Sequence, residues 1–452
     1  MRAWLPLLLS AGVLHAQRAE PGAERPDPAR EFFAAGGLVR AELTLAPEDR
    51  EHLRQQPREY VRATLRIDGG EAWADVGVKL KGSAGSFRKV DDGPGFTVNL
   101  GKFGNAARFH GLRRFHLNNG AQDDSRLCEW LGNEVFTAAG YPAPRVSHAH
   151  VFLDGVELGL YVLREAFDEQ FVQRVFGDAP GNLYDGGFCR DVDGDLEKDE
   201  GHGPDDRSDL RRLREVSGVF DEQGAARFSA AVDEAALIDF CALEAMLGHW
   251  DGYSLNRNNY RLWIGVAPGR AVFLPHGMDQ LFGDADASIL RSPSGIVAQA
   301  LMQNPEWRKR YRERLRQLLP LFAPARLQPR LQAASAKLGK ELRRSAPELA
   351  RAQEAATKGL ENRVAARYRE LRQQVQAPSR ACCSWPSAGP CAARLAAGRA
   401  DRPRAARQEG LQGRHHAAPC QRRARRQRAA GSVPHHAAAR ARPLPARGQG
   451  AL

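Results

Sequence analysis

His249-Trp250-Asp251-Gly252-Tyr253-Ser254-Leu255-Asn256-Arg257-Asn258-Asn259 is the stretch on which the fold turns. Upstream, Asp233 to Leu247 sets Leu237, Phe240, Cys241 and Leu247 on one face at helical spacing, and Gly248 closes that predicted helix. Downstream, Tyr260, Leu262 and Ile264 alternate as a strand, Ala267-Pro268-Gly269-Arg270 turns the chain, and Ala271 to Leu274 returns. The chain leaves this hairpin at Pro275-His276-Gly277-Met278-Asp279. The order is therefore helix, His-x-Asp, Asn, hairpin, Asp.

Asp251 and Asn256 stand five residues apart, the spacing of the Asp and Asn in the catalytic loop of protein kinases. There the Asp accepts the proton of a substrate hydroxyl and the Asn holds a metal ion, with a second Asp following the next hairpin. A hard Mg²⁺ ion needs oxygen ligands and takes one or two carboxylates alongside phosphate oxygens. Asp251 is thus a candidate base, and Asn256 and Asp279 are candidate metal ligands. A structural reading stands beside this one: Asp251 caps a turn, and the asparagines bond loop backbone.

The first half reads as strands. Val39 to Leu45 alternates, Pro47-Glu48 opens a polar helix that ends near Pro57, and Tyr60 to Ile67 alternates again. Asp68-Gly69-Gly70 marks a hairpin turn before the strand from Trp73 to Leu80. In that strand Val76, Val78 and Leu80 share one face, and Gly77, Lys79 and Lys81 the other. Phe96 to Leu100 and Arg113 to Leu117 add two strands. A helix is predicted from Arg126 to Ala139, capped by Asp124 or Ser125. Val146 to Leu153 and Leu158 to Leu163 form strands around Asp154-Gly155. From Ala298 to Val375 the pattern is helical with Pro breaks. The fold class is α+β, a strand-rich first half against a helical second half.

Composition bounds the rest. The chain has 452 residues, with 42% hydrophobic and 27% charged, which excludes fibrous and wholly disordered classes. No apolar run of transmembrane length follows residue 16, so no transmembrane segment is predicted. The net charge of +12 points to nucleic acid until it is located. Residues 377–452 hold fifteen Arg, no Lys and two acids, while the remainder is close to neutral, so no specific nucleic-acid partner is expected. That tail is predicted to be disordered. Its arginine clusters suit weak polyanion binding, and its lysine-free composition is also what GC-rich DNA yields out of frame. Arg2, the apolar stretch Ala3 to Leu14 and Ala16 read as a signal peptide over residues 1–16, with a flexible leader over 17–36. Export would permit disulfides, but the sequence selects no pair, and Cys128 and Cys241 read as buried thiols.

At Val76-Gly77-Val78-Lys79-Leu80-Lys81-Gly82-Ser83, Ser86-Phe87-Arg88, Leu117-Asn118-Asn119, Asp123-Asp124-Ser125, Gly159-Leu160-Tyr161 leading to Glu165, and the 249–259 and 279 motifs, the sequence resembles the CotH kinase family. These are secretory atypical kinases related to spore-coat protein H. The resemblance runs from Leu38 to Gly283, and the predicted domain occupies 37–376. It implies a two-lobed atypical protein-kinase-like fold, ATP with Mg²⁺ or Mn²⁺ as cofactors, and Ser/Thr of secreted or surface proteins as acceptors. The location it implies is secreted, periplasmic or cell-envelope. Asp251 is similar to the family's catalytic Asp and Asp279 to its metal Asp. Lys81, Arg88 and Glu165 become candidates for contacting the nucleotide, with Glu165 orienting Lys81.

Two departures qualify that reading. The family's Pro-Trp-Asp-x-Asp is here Pro275-His276-Gly277-Met278-Asp279, which lacks the first carboxylate. The family's Lys-Pro before the strand at Phe96 is here Gly93-Pro94-Gly95, which makes Lys81 the substitute. They favour an alternative, a non-catalytic surface or adhesion protein (a pseudokinase) on the same fold. The acidic run Asp191, Asp193, Asp195, Glu197, Asp199, Glu200 lacks the Gly and Glu of a calcium loop and is expected to be a solvated loop.

Overall fold

Seven strands of the first half close on themselves. The computed structural model describes residues 27–377, apart from 105, 219–220 and 267–268. The expected signal peptide and the tail beyond residue 377 lie outside the described residues. A short helix α1 (Ala29–Ala35) precedes β1 (Leu38–Thr44), α2 (Pro47–Gln55), β2 (Val61–Ile67), β3 (Ala72–Lys81), β4 (Gly95–Asn99) and β5 (Arg114–Asn118). Then come α3 (Cys128–Ala138), β6 (Val146–Leu153) and β7 (Val156–Glu165). The strands pair in the order β1-β2-β3-β4-β5-β7-β6, and a parallel β6–β1 pairing closes the barrel. Asp68-Gly69 and Asp154-Gly155 both adopt positive φ, which gives the tight turns that β2–β3 and β6–β7 require.

Strand alternation decides what fills the barrel. Val76, Val78, Leu80, Phe96, Val98, Phe115, Leu117, Tyr161 and Leu163 join one buried cluster. Their neighbours one residue along, including Lys81, Thr97, His116 and Arg164, lie on the opposite face.

The expectation of a flexible leader through residue 36 fails for residues 27–36. Phe33 is buried, Phe32 packs against Phe109, and Asp27 pairs with Arg145 at 2.7 Å. A seven-residue helix is too short to show periodicity. The capping expectation also shifts by one residue. Asp123 accepts from the Ser125 and Cys128 N–H groups at 3.1 and 2.8 Å, and Ser125 Oγ accepts from Leu127 N at 3.1 Å. Asp124 has no part in it.

Beyond α4 (Glu169–Phe176) a second sheet forms, which sequence patterning did not separate. It comprises β8 (Gly181–Asp185), β9 (Glu197–Gly201), β10 (Tyr260–Gly265) and β11 (Ala271–Pro275), in the order β11-β10-β8-β9. Part of the acidic run is therefore strand rather than solvated loop. Asp199 pairs with Arg261 at 2.9 Å and Glu200 with Arg114 at 2.8 Å, so these half-buried charges are held by cations from other strands. Asp191 is buried and accepts from Ile296 N at 2.8 Å and Tyr253 Oη at 3.1 Å.

The helices α5 (Ser208–Val216), α6 (Glu222–Ala231), α7 (Glu234–Leu247) and α8 (Tyr253–Asn256) lie around this sheet in sequence. They are followed by α9 (Ile296–Gln303), α10 (Pro305–Leu318), α11 (Pro324–Ser345) and α12 (Pro347–Gln376). The main core joins these helices to α3, and Cys128 and Cys241 are buried thiols within it. The fold is α+β, strand-rich first and helical last, and the strand-rich half is a closed barrel. Among the described residues, no helix is long and apolar enough to cross a membrane.

Candidate functional site

The end of α7 and the short α8 hold the 249–259 loop. Asp233 caps α7 by accepting from Ala236 N at 2.9 Å, and Gly248 closes it in the left-handed conformation. On the last turn of α7, buried Glu244 accepts from Tyr253 N and Ser254 N, each at 2.9 Å. A carboxylate at a helix start satisfies donors that the first turn leaves open. Burial pushes the Glu244 carboxyl up to about 7.

Asp251 is half-buried between these elements. Three asparagines converge on its carboxylate. Asn256 Nδ2 donates to Oδ1, while Asn258 Nδ2 and Asn259 Nδ2 donate to Oδ2 at 3.0 and 2.8 Å. Asn259 also donates to the Asp251 carbonyl at 3.1 Å. His249 Nε2 donates to the His276 carbonyl at 3.1 Å, tying this loop to the segment that carries Asp279.

That segment packs tightly on α3. Gly132 lies mid-helix, and a Cβ there would stand 2.6 Å from Leu281 Cδ1 and 3.0 Å from Met278 Sδ. Leu281 N donates to Cys128 Sγ at 3.2 Å. Glycine weakens a helix, but here it admits the loop against α3. Asp279 is half-buried. Burial, and then the neighbouring charge of Glu129, push its carboxyl up to about 7, with Lys81 pulling the other way.

Lys81 leaves β3 on the outer barrel face. Its Nζ donates to Asn118 Oδ1, and Asn118 Nδ2 donates to Glu129 Oε2 at 2.8 Å. Removal of the ammonium from water, then the charge of Arg164, lower Lys81 to about 7 against the pull of Glu129 and Asp279. Glu129, on α3, is 4% exposed. Next to Lys81, Arg164 Nη1 donates to His276 Nδ1 at 2.9 Å. Burial and the charges of Arg164, Arg261, Lys81 and His116 hold His276 well below its ordinary range, so its imidazole is neutral.

The structure corrects one expected pairing. Glu165 does not meet Lys81. Its carboxylate bonds Arg145 at 2.7 Å and Arg174 at 2.6 Å, at the far end of β7. Strand parity is the reason. His116 lies opposite Arg164, and Phe115, which faces the barrel interior, lies opposite Glu165. The acidic group near Lys81 is Glu129, reached through Asn118. Arg88 sits in the loop after β3, where its Nη1 bonds the Phe87 and Gly85 carbonyls at 2.8 and 3.1 Å. The site therefore gathers Lys81, Asn118, Glu129, Arg164, Asp279 and, through His249 and His276, Asp251. Sequence reasoning missed Glu129, Arg164 and His276, and parity on β7 was the available signal for Arg164.

The absent carboxylate at position 277 also has a local cause. Gly277 adopts φ +58°, and a Cβ would stand 2.4 Å from Asn259 Oδ1. Asn259 occupies the space that a side chain at 277 needs.

The chain is 22% identical over 297 residues to Invasin CotH2 of Rhizopus delemar, covering 57% of this chain and 49% of that protein. It is 24% identical over 254 residues to the Inner spore coat protein H of Bacillus subtilis, covering 50% of this chain and 67% of that one. The chain thus spans about half the length of the first relative and two thirds of the second. Residues 88–377 match the CotH kinase protein family, a span that takes in α3, Glu129, Asp251 and Asp279 and begins after Lys81. Because that match covers more than half of the chain, the protein belongs to the CotH kinase protein family.

Proposed function

We propose that this protein is an exported, two-lobed, kinase-like phosphotransferase that moves the γ-phosphoryl group of ATP to Ser or Thr hydroxyls of secreted or surface proteins. The observation that carries the reading is the Asp251 carboxylate, fixed by Asn256, Asn258 and Asn259 and linked through His249 and His276 to the Asp279 segment. Three carboxamide donors orient the carboxylate, so it can accept the hydroxyl proton of an acceptor without prior rearrangement.

The donor set fits a metal-bound nucleotide. Asp279 and Glu129 are neighbouring acidic groups whose mutual repulsion a divalent cation relieves. Asp279 would hold Mg²⁺ or Mn²⁺, with Asn256 nearby in the same loop system, and Lys81 would face phosphate oxygens. Bound ATP and metal supply the transferable phosphoryl group and the charge that stabilises its transfer. Glu129 and Asn118 hold Lys81 in place. Arg88 remains a candidate for the loop over the nucleotide, and Glu165 supports the barrel end instead.

The alternative reading is a non-catalytic surface or adhesion protein. It is favoured by Gly277, where no carboxylate fits beside Asn259, and by relatives named as an invasin and a spore coat protein. Incubation of the protein with γ-labelled ATP, Mg²⁺ or Mn²⁺, and a generic acceptor separates the two. Transfer that falls ~10²–10⁴-fold in Asp251→Asn supports the kinase. Absence of transfer with both metals leaves the adhesion reading, whereas transfer at the parent rate in Asp251→Asn removes Asp251 as the base.

A further inference from the structure

Arg164 is 1% exposed, yet its charge has no hydrogen-bonded carboxylate among the described residues. Nη1 is spent on the neutral His276 ring. Nε is buried without any hydrogen-bond acceptor, and Glu129 Oε1 stands 3.6 Å from it, beyond bonding range. Burial lowers the guanidinium to about 10, against the opposing pull of Glu129.

Other buried arginines show what a structural role requires. Arg367 is 0% exposed, and its Nε and both Nη atoms each donate to backbone carbonyls. Arg145 also has an orphaned Nε, but its Nη atoms are bonded by the carboxylates of Asp27 and Glu165. Arg164 has neither compensation.

Its surroundings sharpen the case. Glu129 is the largest opposing charge for both Lys81 and Arg164, with Asp279 also acting on Lys81 and Glu165 and Asp185 on Arg164, and its carboxylate already accepts from Asn118. Arg261 is committed to Asp185 at 2.7 Å and to Asp199, and Arg114 to Glu200. His116 and His276 are neutral, held well below their ordinary range by burial and by these cations. A desolvated, under-bonded guanidinium beside a lysine strongly favours an anion with several oxygen acceptors.

We propose that Arg164 is the floor of a polyphosphate subsite, in which its free Nε–H and the Lys81 ammonium bind oxygens of the same phosphate chain. This rests on the phosphotransfer reading above but has its own readout. Inorganic tripolyphosphate without metal is the probe, with the full chain as the protein. Its binding is followed by the rise in melting temperature. The parent should show a saturable rise. Arg164→Met should weaken the affinity about tenfold to a hundredfold, the range for a charge-assisted hydrogen bond. Arg164→Lys, which keeps the charge but lacks Nε, should lose about tenfold and serves if Arg164→Met does not fold. No shift in the parent, or unchanged affinity in the folded variants, overturns the subsite. Arg164-dependent tripolyphosphate binding without any phosphate transfer from ATP sinks the kinase reading and leaves the subsite. Phosphate transfer combined with unchanged binding in the variants does the reverse.

Discussion

Arg367, on α12, donates through Nε to the carbonyl of Met246 at 3.0 Å, one residue before the end of α7. The same guanidinium reaches the Ala245 carbonyl at 2.6 Å, and those of Ala285 and Ala287 at 2.9 and 2.6 Å. One side chain from near the end of the described chain thus fastens the helix that leads into the Asp251 loop to the segment that follows Asp279.

Replacing that clamp should destabilise the whole protein. Arg367→Met leaves the carbonyls of Met246 and Ala285 without this donor, while that of Ala245 keeps the Gly248 N–H and that of Ala287 the Gln374 amide, at a cost of about 2–5 kcal/mol. Chemical denaturation should show a clearly lower midpoint. A midpoint equal to the parent's would mean that other donors satisfy those carbonyls.

Glu165 and Glu129 should separate by phenotype. Burial alone would raise the Glu165 pKa, but the charges and hydrogen bonds of Arg174 and Arg145 outweigh it and hold it below the ordinary glutamate value. Its folded pKa is therefore below its unfolded one. The stabilisation is present above the unfolded value, near 4.5, and is lost as pH falls through the folded value. Glu165→Gln should lower stability at pH 7 by about 3–5 kcal/mol, because Arg174 loses its carboxylate and Arg145 keeps only that of Asp27. It should also flatten the acid limb of the stability curve. Glu129→Gln should weaken nucleotide binding instead. Equal loss of nucleotide affinity in both variants would contradict the assignment of Glu129 to Lys81.

Restoring the family's carboxylate should do harm. In Gly277→Asp the new Cβ collides with Asn259 Oδ1, and aspartate is strained at φ +58°. Phosphate transfer should fall rather than rise, and pairing the change with Asn259→Gly should relieve the clash and recover melting temperature without recovering transfer, because Asn259 also holds the Asp251 carboxylate. A gain in transfer from Gly277→Asp alone would show that Asn259 yields freely.

Asp279→Ala should abolish the Mg²⁺ enhancement of ATP affinity while adenosine binding persists. Titrations with and without Mg²⁺, beside melting curves, distinguish a metal ligand from a structural Asp, whose loss would lower the melting temperature generally. Full retention of the Mg²⁺ enhancement would falsify the metal assignment.

Local rules carried much of the architecture. Asp68-Gly69 and Asp154-Gly155 marked their turns, Asp233 and Gly248 bounded α7, and alternation in β3 aimed Lys81 away from the apolar face. Barrel closure was not legible, because β1 pairs with β6 across about a hundred residues and nothing local encodes that partner. Strand β9 was hidden for a different reason. Glu197-Lys198-Asp199-Glu200-Gly201 has no apolar alternation and is held by Arg114 and Arg261 from other strands. The spacing of Asp251 and Asn256 predicted a shared loop, and the structure brings the two into contact. The lysine's partner was misread because the resemblance to kinases pairs Lys81 with Glu165, whereas the pleat turns Arg164 and not Glu165 toward the site.

The parallel β6–β1 seam also limits how an extended peptide can attach. A sheet without ends exposes no row of unpaired amides and carbonyls, so no guest strand can lengthen the N-terminal half. Among the described residues, only the four-stranded sheet keeps terminal strands, β11 and β9, and the latter is studded with carboxylates. Main-chain zippering between copies, the usual hazard of strand-rich proteins, is thereby confined to two short stretches of five residues each.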